Sequence, residues 1–212
     1  MVARDLLLAE LTGARLHIAH VSAAESVRLI RETKARGIRV SCEVTPHHFA
    51  LTEEALRAFD TNAKMNPPLR SEADRQALLD GLRDGTIDVI ATDHAPHTAQ
   101  EKEQEFDLAP FGVIGSETAL ALTLTTLVLP GVLSLKQAIA KMTTEPARLL
   151  KLQKGRIAEG GDADLTILDP SREWAVDATR FASKSRNTPF HGWQLQGGAV
   201  ATLVAGKLVW EA

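Results

Sequence analysis

Cysteine is nearly missing from this 212-residue chain: Cys42 stands alone, which excludes an internal disulfide framework. That fits a reducing compartment, so a cytoplasmic location is expected. Also missing is any apolar run of the ~18–20 residues that a membrane-spanning helix needs. The greasiest stretch, TALALTLTTLVLPGV from Thr118, is short and broken by threonines. No basic segment leads into an apolar one at the N-terminus, so no secretory leader is expected. Neither sign of charge dominates: 24 basic residues face 27 acidic ones, for a net charge of −3, and the basic residues are scattered. Without a cationic surplus to neutralise phosphates, nucleic acid and anionic membranes are not expected as partners. There is no internal repeat and no low-complexity tract, and the glycine-containing APFGVIGSE loop lacks the G-K-[S/T] of a phosphate cradle.

What remains is an ordinary globular composition, 44% hydrophobic and 24% charged, long enough for one domain with a small appendage. Residues 1–15 space Val2, Leu6, Leu7 and Leu11 as an amphipathic helix stopped at Gly13. LHIAHV (16–21), IRVSCEVT (38–45) and IDVIAT (87–92) read as strands, with Cys42 as a small buried hydrophobe. Between them, the segment opening at Ser22 and Glu25 and closing at Gly37 has a capping-box start, and SEADRQALLDGLRDG (71–85) has another. Strands separated by capped helices predict βα units and a parallel sheet, an α/β fold. Residues 118–152 are helical in pattern, with Thr144 as an N-cap before Pro146. After Gly155 the texture turns β-prone, so the chain divides into 1–153 and a small β-rich module, 154–212, without helix.

In parallel sheets chemistry gathers at the carboxyl ends of the strands. His20, the Thr45–His48 group and the Asp93–His97 group each follow a strand. Strand alternation puts His20 on the face of Leu16 and Ile18, with His17 opposite. Imidazole and carboxylate suit a borderline metal such as Zn²⁺, and a carboxylate there can also take a proton from water. Against this stands the plainer reading of His20 as a structural strand histidine. His47 and His48 read either as solvated rings in a turn set by Pro46 or as part of a site. Asn66 precedes Pro67 and Pro68, which bias it away from helix and make a rigid loop suited to an amide or carboxylate.

HIAHVSAAESV, CEVTPHHFALTEE, NAKMNPPLR, IDVIATDHAPHT and FDLAPFGVIGSETALALTLT together resemble successive blocks of the bacterial dihydroorotases. GRIAEGGDADLTILDP and SKSRNTPFHGWQLQGGAVATLVAGKLVW are similar to the β module that closes those enzymes. The resemblance implies a (β/α)₈ barrel of the metal-dependent amidohydrolase type, of which this chain would supply the last three βα units. It implies one or two Zn²⁺ ions and reversible cyclisation of N-carbamoyl-L-aspartate to L-dihydroorotate. By the same matching, His20 and Asp93 fall on metal ligands, and Asp93 also on the catalytic proton shuttle. Asn66, His97, Pro110, Phe111 and Gly112 fall on substrate-binding positions, while His94, His47 and His48 receive no role.

The family's H-x-H pair, its substrate-binding arginine, its bridging acid or carboxylated lysine and a further ligand histidine have no counterpart here. The chain is therefore expected to be a C-terminal portion, inactive or weakly active alone; its open sheet edges imply either a fragment or cover by another chain. A small-molecule substrate and a homo-oligomer are expected, with aspartate transcarbamoylase as a candidate partner. Two other readings stay open: another cyclic amidohydrolase, such as an allantoinase or hydantoinase, or a non-catalytic subunit supporting the transcarbamoylase.

Overall fold

The computed structural model describes residues 1–212. Helix α1 (Val2–Thr12) leads into strand β1 (Leu16–Ile18), and helix α2 (Ala24–Ala35) into β2 (Val40–Val44). A short helix α3 (Pro46–Ala50) follows, then α4 (Glu72–Arg83) and β3 (Val89–Ile90). The strands form one parallel sheet in the order β1-β2-β3, with Leu16 opposite Val40 and Val44 opposite Ile90. Each parallel pairing requires a crossover, and the two long helices α2 and α4 provide them.

The strands are shorter than their apolar runs suggested, at three, five and two residues. Single backbone bonds extend the pairing past their ends: Val21 N–H donates to Glu43 O at 2.9 Å and Ala91 N–H to Val44 O at 3.0 Å. These two bonds bring the residues after β1 and β3 against the end of β2.

The caps follow the sequence in part. Ser71 accepts the N–H of Asp74, and Ser134 with Gln137 forms a full capping box on a later helix. The expected box at Ser22 and Glu25 does not form. Helix α2 starts at Ala24, capped at Ala23, and Asp74 Oδ1 reaches from α4 to accept the Ala24 N–H at 2.8 Å. A tertiary partner thus satisfies the donor that a local side chain was expected to satisfy. The two helices lie close because Gly81 has no side chain; a Cβ there would stand 3.0 Å from Val27 Cγ1 and 3.1 Å from Ile87 Cδ1.

Beyond β3 come α5 (Ala99–Lys102), α6 (Ala119–Thr123) continued by a π-helical turn over Leu124–Val128, α7 (Leu135–Met142) and α8 (Thr144–Leu149). The cap of α8 is Thr143, not Thr144. The remaining strands, β4 (Leu165–Ala175), β5 (Gln194–Val204) and β6 (Lys207–Glu211), form an antiparallel sheet. This region is β-rich as expected, but one 3₁₀ turn over Ala178–Arg180 corrects the expectation of no helix.

Two apolar clusters hold these elements together. Ile30, Val44, Phe49, Leu78, Leu82 and Ile87 fill the first, between the parallel sheet and its helices. In the second, Leu51, Met65, Ile114 and Leu122 pack with Val176, Phe190 and Leu195. The start of β5 and the turn after β4 therefore rest on the loops that follow β2 and β3. No helix is long and apolar enough to cross a membrane.

Candidate active site

The carboxyl ends of β1, β2 and β3 present His20, Glu43 and Asp93 to a common mouth. His20 Nε2 lies 3.6 Å from Asp93 Oδ1, and both side chains remain about a third exposed. Both residues have positive φ, 52° and 45°, in the left-handed region that side chains other than glycine seldom adopt. Such outliers persist only where surrounding contacts enforce them. Here the enforcing contacts are the backbone bonds of Val21 and Ala91 onto β2.

Glu43 received no role from the sequence, yet it is the centre of the mouth. Its Oε1 is 3.0 Å from His20 Nδ1 and its Oε2 is 3.1 Å from His17 Nε2. His17 Nδ1 in turn lies 2.8 Å from Ser41 Oγ. Alternation from β1 had placed His17 and His20 on opposite faces. The strand ends at Ile18 and the chain turns at His20, so both rings meet one carboxylate. Burial pushes the Glu43 carboxyl up, but the His17 hydrogen bond and the two nearby imidazoles outweigh it and hold the group below its usual range. The available signal was an acid between the apolar Cys42 and Val44, one residue short of the strand end.

Thr45 to His48 form neither a turn nor a solvated loop. Pro46 opens helix α3, and the rings of His47 and His48 are buried. His48 Nδ1 is 2.6 Å from Thr45 Oγ1 and its Nε2 is 2.9 Å from Pro67 O. The Pro67 carbonyl can only accept, so Nε2 carries the proton and Nδ1 accepts from the hydroxyl. Burial pushes the His48 pKa down to about 4, and burial with two neighbouring histidines drives His47 well below its ordinary value. Both are neutral packing elements behind the mouth.

The substrate-binding candidates lie on loops tied to one another. His97 Nε2 is 2.9 Å from Phe111 O, and its Nδ1 is 3.6 Å from Glu101. Gly112 N–H donates to Lys64 O at 2.9 Å, which sets the Asn66 loop beside the Pro110–Gly112 loop. Gly112 has φ of 137°, and a Cβ there would stand 2.7 Å from Ala95 Cβ and 3.1 Å from the His97 ring. A larger residue would therefore displace His97. Asn66 and Phe111 are exposed and Pro110 is partly so. The structure thus joins His20 to Asp93, and His97 to Phe111 and Gly112; Asn66 comes near through Lys64 but makes no side-chain hydrogen bond.

Three buried residues missed in the sequence hold these loops. Lys64 Nζ donates to the carbonyls of Phe106, Asp107 and Ala109 at 2.5, 3.0 and 2.6 Å. Lys102 Nζ donates to Pro110 O at 2.9 Å and Gly112 O at 3.2 Å. Burial, helped by repulsion from Lys64, pushes the Lys102 pKa down to about 8. Asn187 accepts the His97 N–H at 3.1 Å and donates to Ala95 O at 2.9 Å and Gly112 O at 3.1 Å. His94 is likewise structural, its Nδ1 accepting the N–H groups of Gly115 and Ser116 at 3.2 and 3.3 Å.

A cleft of about 600 Å³ lies apart from this mouth, between Glu117, Leu120, Arg172, Trp174 and Trp210, and includes none of the candidate ligands. At the mouth His20 Nε2 and Asp93 Oδ1 face each other across a gap that a small cation or a proton can bridge. His20 and Asp93 are donors of the right kind for a divalent metal. No group of three His, Cys, Asp or Glu is assembled around such a position.

The chain is similar to known proteins along nearly its whole length. The dihydroorotase of Pelotomaculum thermopropionicum is 61% identical over 211 residues, covering 100% of this chain and 49% of its own length. That of Syntrophus aciditrophicus is 54% identical over the same span and share. Among solved structures, the L-hydantoinase (dihydropyrimidinase) from Arthrobacter aurescens superposes with a TM-score of 0.94 at 36% identity, over 99% of this chain and 48% of its own. The chain spans about half the length of the curated relatives it matches. The model of the amidohydrolase family matches residues 3–209, through both sheets and every loop of the mouth, and this chain belongs to that family.

Proposed function

We propose that the chain supplies half of a dihydroorotase active site, with His20 and Asp93 as its share of the metal ligands. The observation that carries this reading is the facing pair, His20 Nε2 and Asp93 Oδ1, 3.6 Å apart at the carboxyl ends of parallel strands. In this reading residues 1–153 are the last three βα units of a (β/α)₈ barrel and 154–212 a composite β module. The substrate is L-dihydroorotate, opened by water to N-carbamoyl-L-aspartate and closed again in reverse. The 61% identity to a dihydroorotase supports that ring over hydantoin.

His20 and Asp93, together with ligands from outside this chain, would hold a Zn²⁺ ion, which when bound would supply Lewis-acid chemistry. Asp93 accepts the proton of the attacking water on its carboxylate and returns it to the ring nitrogen as the amide C–N bond opens. Asn66 offers its amide to the ring, and the Pro110–Gly112 loop offers backbone groups. His97 faces the substrate carboxylate. Its Nε2–H is spent on the Phe111 carbonyl, so a neutral ring offers Nδ1 only as an acceptor. Binding a carboxylate through that atom requires the imidazolium.

Replacing the matching half of the Pelotomaculum enzyme with this chain tests the reading. The chimera is expected to hydrolyse dihydroorotate in preference to hydantoin or allantoin, and D93N to lower turnover by about 10²–10⁴-fold. A preference for hydantoin, or an unaffected D93N chimera, refutes it. The 212-residue chain alone is expected to hold no stoichiometric zinc and to show no enzyme-like turnover.

A further inference from the structure

We propose that Glu43 is a positioning residue that fixes the His20 ring with Nδ1 protonated and Nε2 bare, and so presents Nε2 as the ligand atom. The inference deepens the functional reading above, since it rests on His20 facing a metal.

The geometry begins in the backbone. Cys42 and Val44 point into the apolar core, so alternation along β2 turns Glu43 to the other side. The Val21 N–H bond to Glu43 O then lays the turn after β1 over this residue and sets His20 beside its carboxylate. Oε2 hydrogen-bonds with His17 Nε2 at 3.1 Å, and Oε1 lies 3.0 Å from His20 Nδ1. His17 is held at its far nitrogen by Ser41, 2.8 Å away and directly opposite it in the β1–β2 register. The carboxylate is therefore clamped from behind. His20 Nδ1 is buried, and its contact with Glu43 lies off the hydrogen-bond axis. No hydrogen-bond partner competes for it, so Glu43 is the group that can receive its proton.

A neutral imidazole carries one N–H, and its other nitrogen is the one able to bind a metal. Carboxylates stand beside both ring nitrogens, and the nearer one, Glu43 at 3.0 Å against Asp93 at 3.6 Å, draws the proton to Nδ1 and leaves Nε2 bare on the Asp93 side. Outer carboxylates of this kind orient ligand histidines, and losing one costs about 10–100-fold in metal affinity.

The test reads the tautomer directly. In the ¹⁵N-histidine-labelled chain at about pH 8, where an ordinary imidazole is neutral, long-range ¹H–¹⁵N correlations are expected to show His20 protonated at Nδ1. Glu43→Ala is expected to shift His20 towards the Nε2–H form. Glu43→Gln, which keeps an acceptor oxygen, is expected to retain the Nδ1–H form, a rescue that a purely structural role would not give. In the chimera, Glu43→Ala is expected to weaken zinc binding by about 10–100-fold. Should Glu43→Ala fail to fold, His17→Gln tests the clamp and is expected to mix the two tautomers. An Nε2–H tautomer in the unmodified chain overturns the proposal, as does a tautomer untouched by Glu43→Ala or, where that variant does not fold, by His17→Gln. The expected tautomers together with full zinc affinity in a His20→Ala chimera would instead refute the metal reading of His20, leaving its positioning by Glu43 intact.

Discussion

Strands β1, β2 and β3 bring three, five and two residues to the parallel sheet, whose central strand buries Cys42 and Val44 completely. Strands β4 and β6 bring eleven and five residues to the antiparallel sheet, and none of them is buried. The short strands persist because helices cover them; the long ones are held by their own backbone ladder and one seated end. Ionisable groups differ accordingly. Glu43, half-buried between two imidazoles, sits where electrostatic interactions are strong. Lys154, bridging Asp162 at 2.9 Å and Asp164 at 2.7 Å near β4, sits in open water, where such pairs contribute little. A site that must fix a proton or a cation belongs at the first sheet.

The comparison can be broken most sharply at Phe49. It is 0% exposed in the cluster under the parallel sheet, and Phe49→Ala should cost about 3–5 kcal/mol in urea denaturation. Val209→Ala on the exposed β6 should stay within about 0.5 kcal/mol. Similar losses at the two positions would abolish the contrast.

Acid should act on the parallel-sheet side next. The folded His48 pKa of about 4 lies below the ordinary 6.5, so between these values the unfolded chain binds the proton first. Stability is complete above about pH 6.5 and falls as pH drops towards 4, by up to about 3 kcal/mol for this residue. Denaturation midpoints across that window, with His48→Asn as the flattened control, measure it. A midpoint independent of pH would remove His48 as a buried neutral group.

Asn187→Ala should come third. It strands the His97 N–H and the Ala95 carbonyl and leaves Gly112 O to Lys102 alone, and about 1–3 kcal/mol should be lost. Hydrogen exchange should show the His97 amide losing protection; unchanged protection would mean that the loops hold without this link. Lys154→Ala should change the urea midpoint least, with no measurable shift at physiological salt. A clear loss there would show that the open sheet depends on its ion pairs after all.

Much of this was legible in the residues. The alternation of strands with capped helices gave the parallel sheet, and positions after strand ends singled out His20 and Asp93 before any coordinates. The failures share a physical form. Ser22 looked like a cap, but Asp74, fifty residues away, took the donor. For His47 and His48 a proline-led stretch left a solvated turn and a place in the site equally open, whereas burial depends on what packs above them. Asn187 staples His97 from ninety residues away, a separation at which no periodicity operates.

The sequence by itself determined the α/β order, the approximate strands, and the identities of the imidazole and carboxylate at the mouth. Those follow from local preferences: period-two and period-3.6 burial, caps, and the stiffness of proline. Only the tertiary structure decided that His17 and His20 share Glu43, that His97 has spent its Nε2, and that two lysines and Asn187 hold the loops. These depend on where strands stop and which backbone donors cross between them, and the free energy that fixes such choices comes from packing the whole chain.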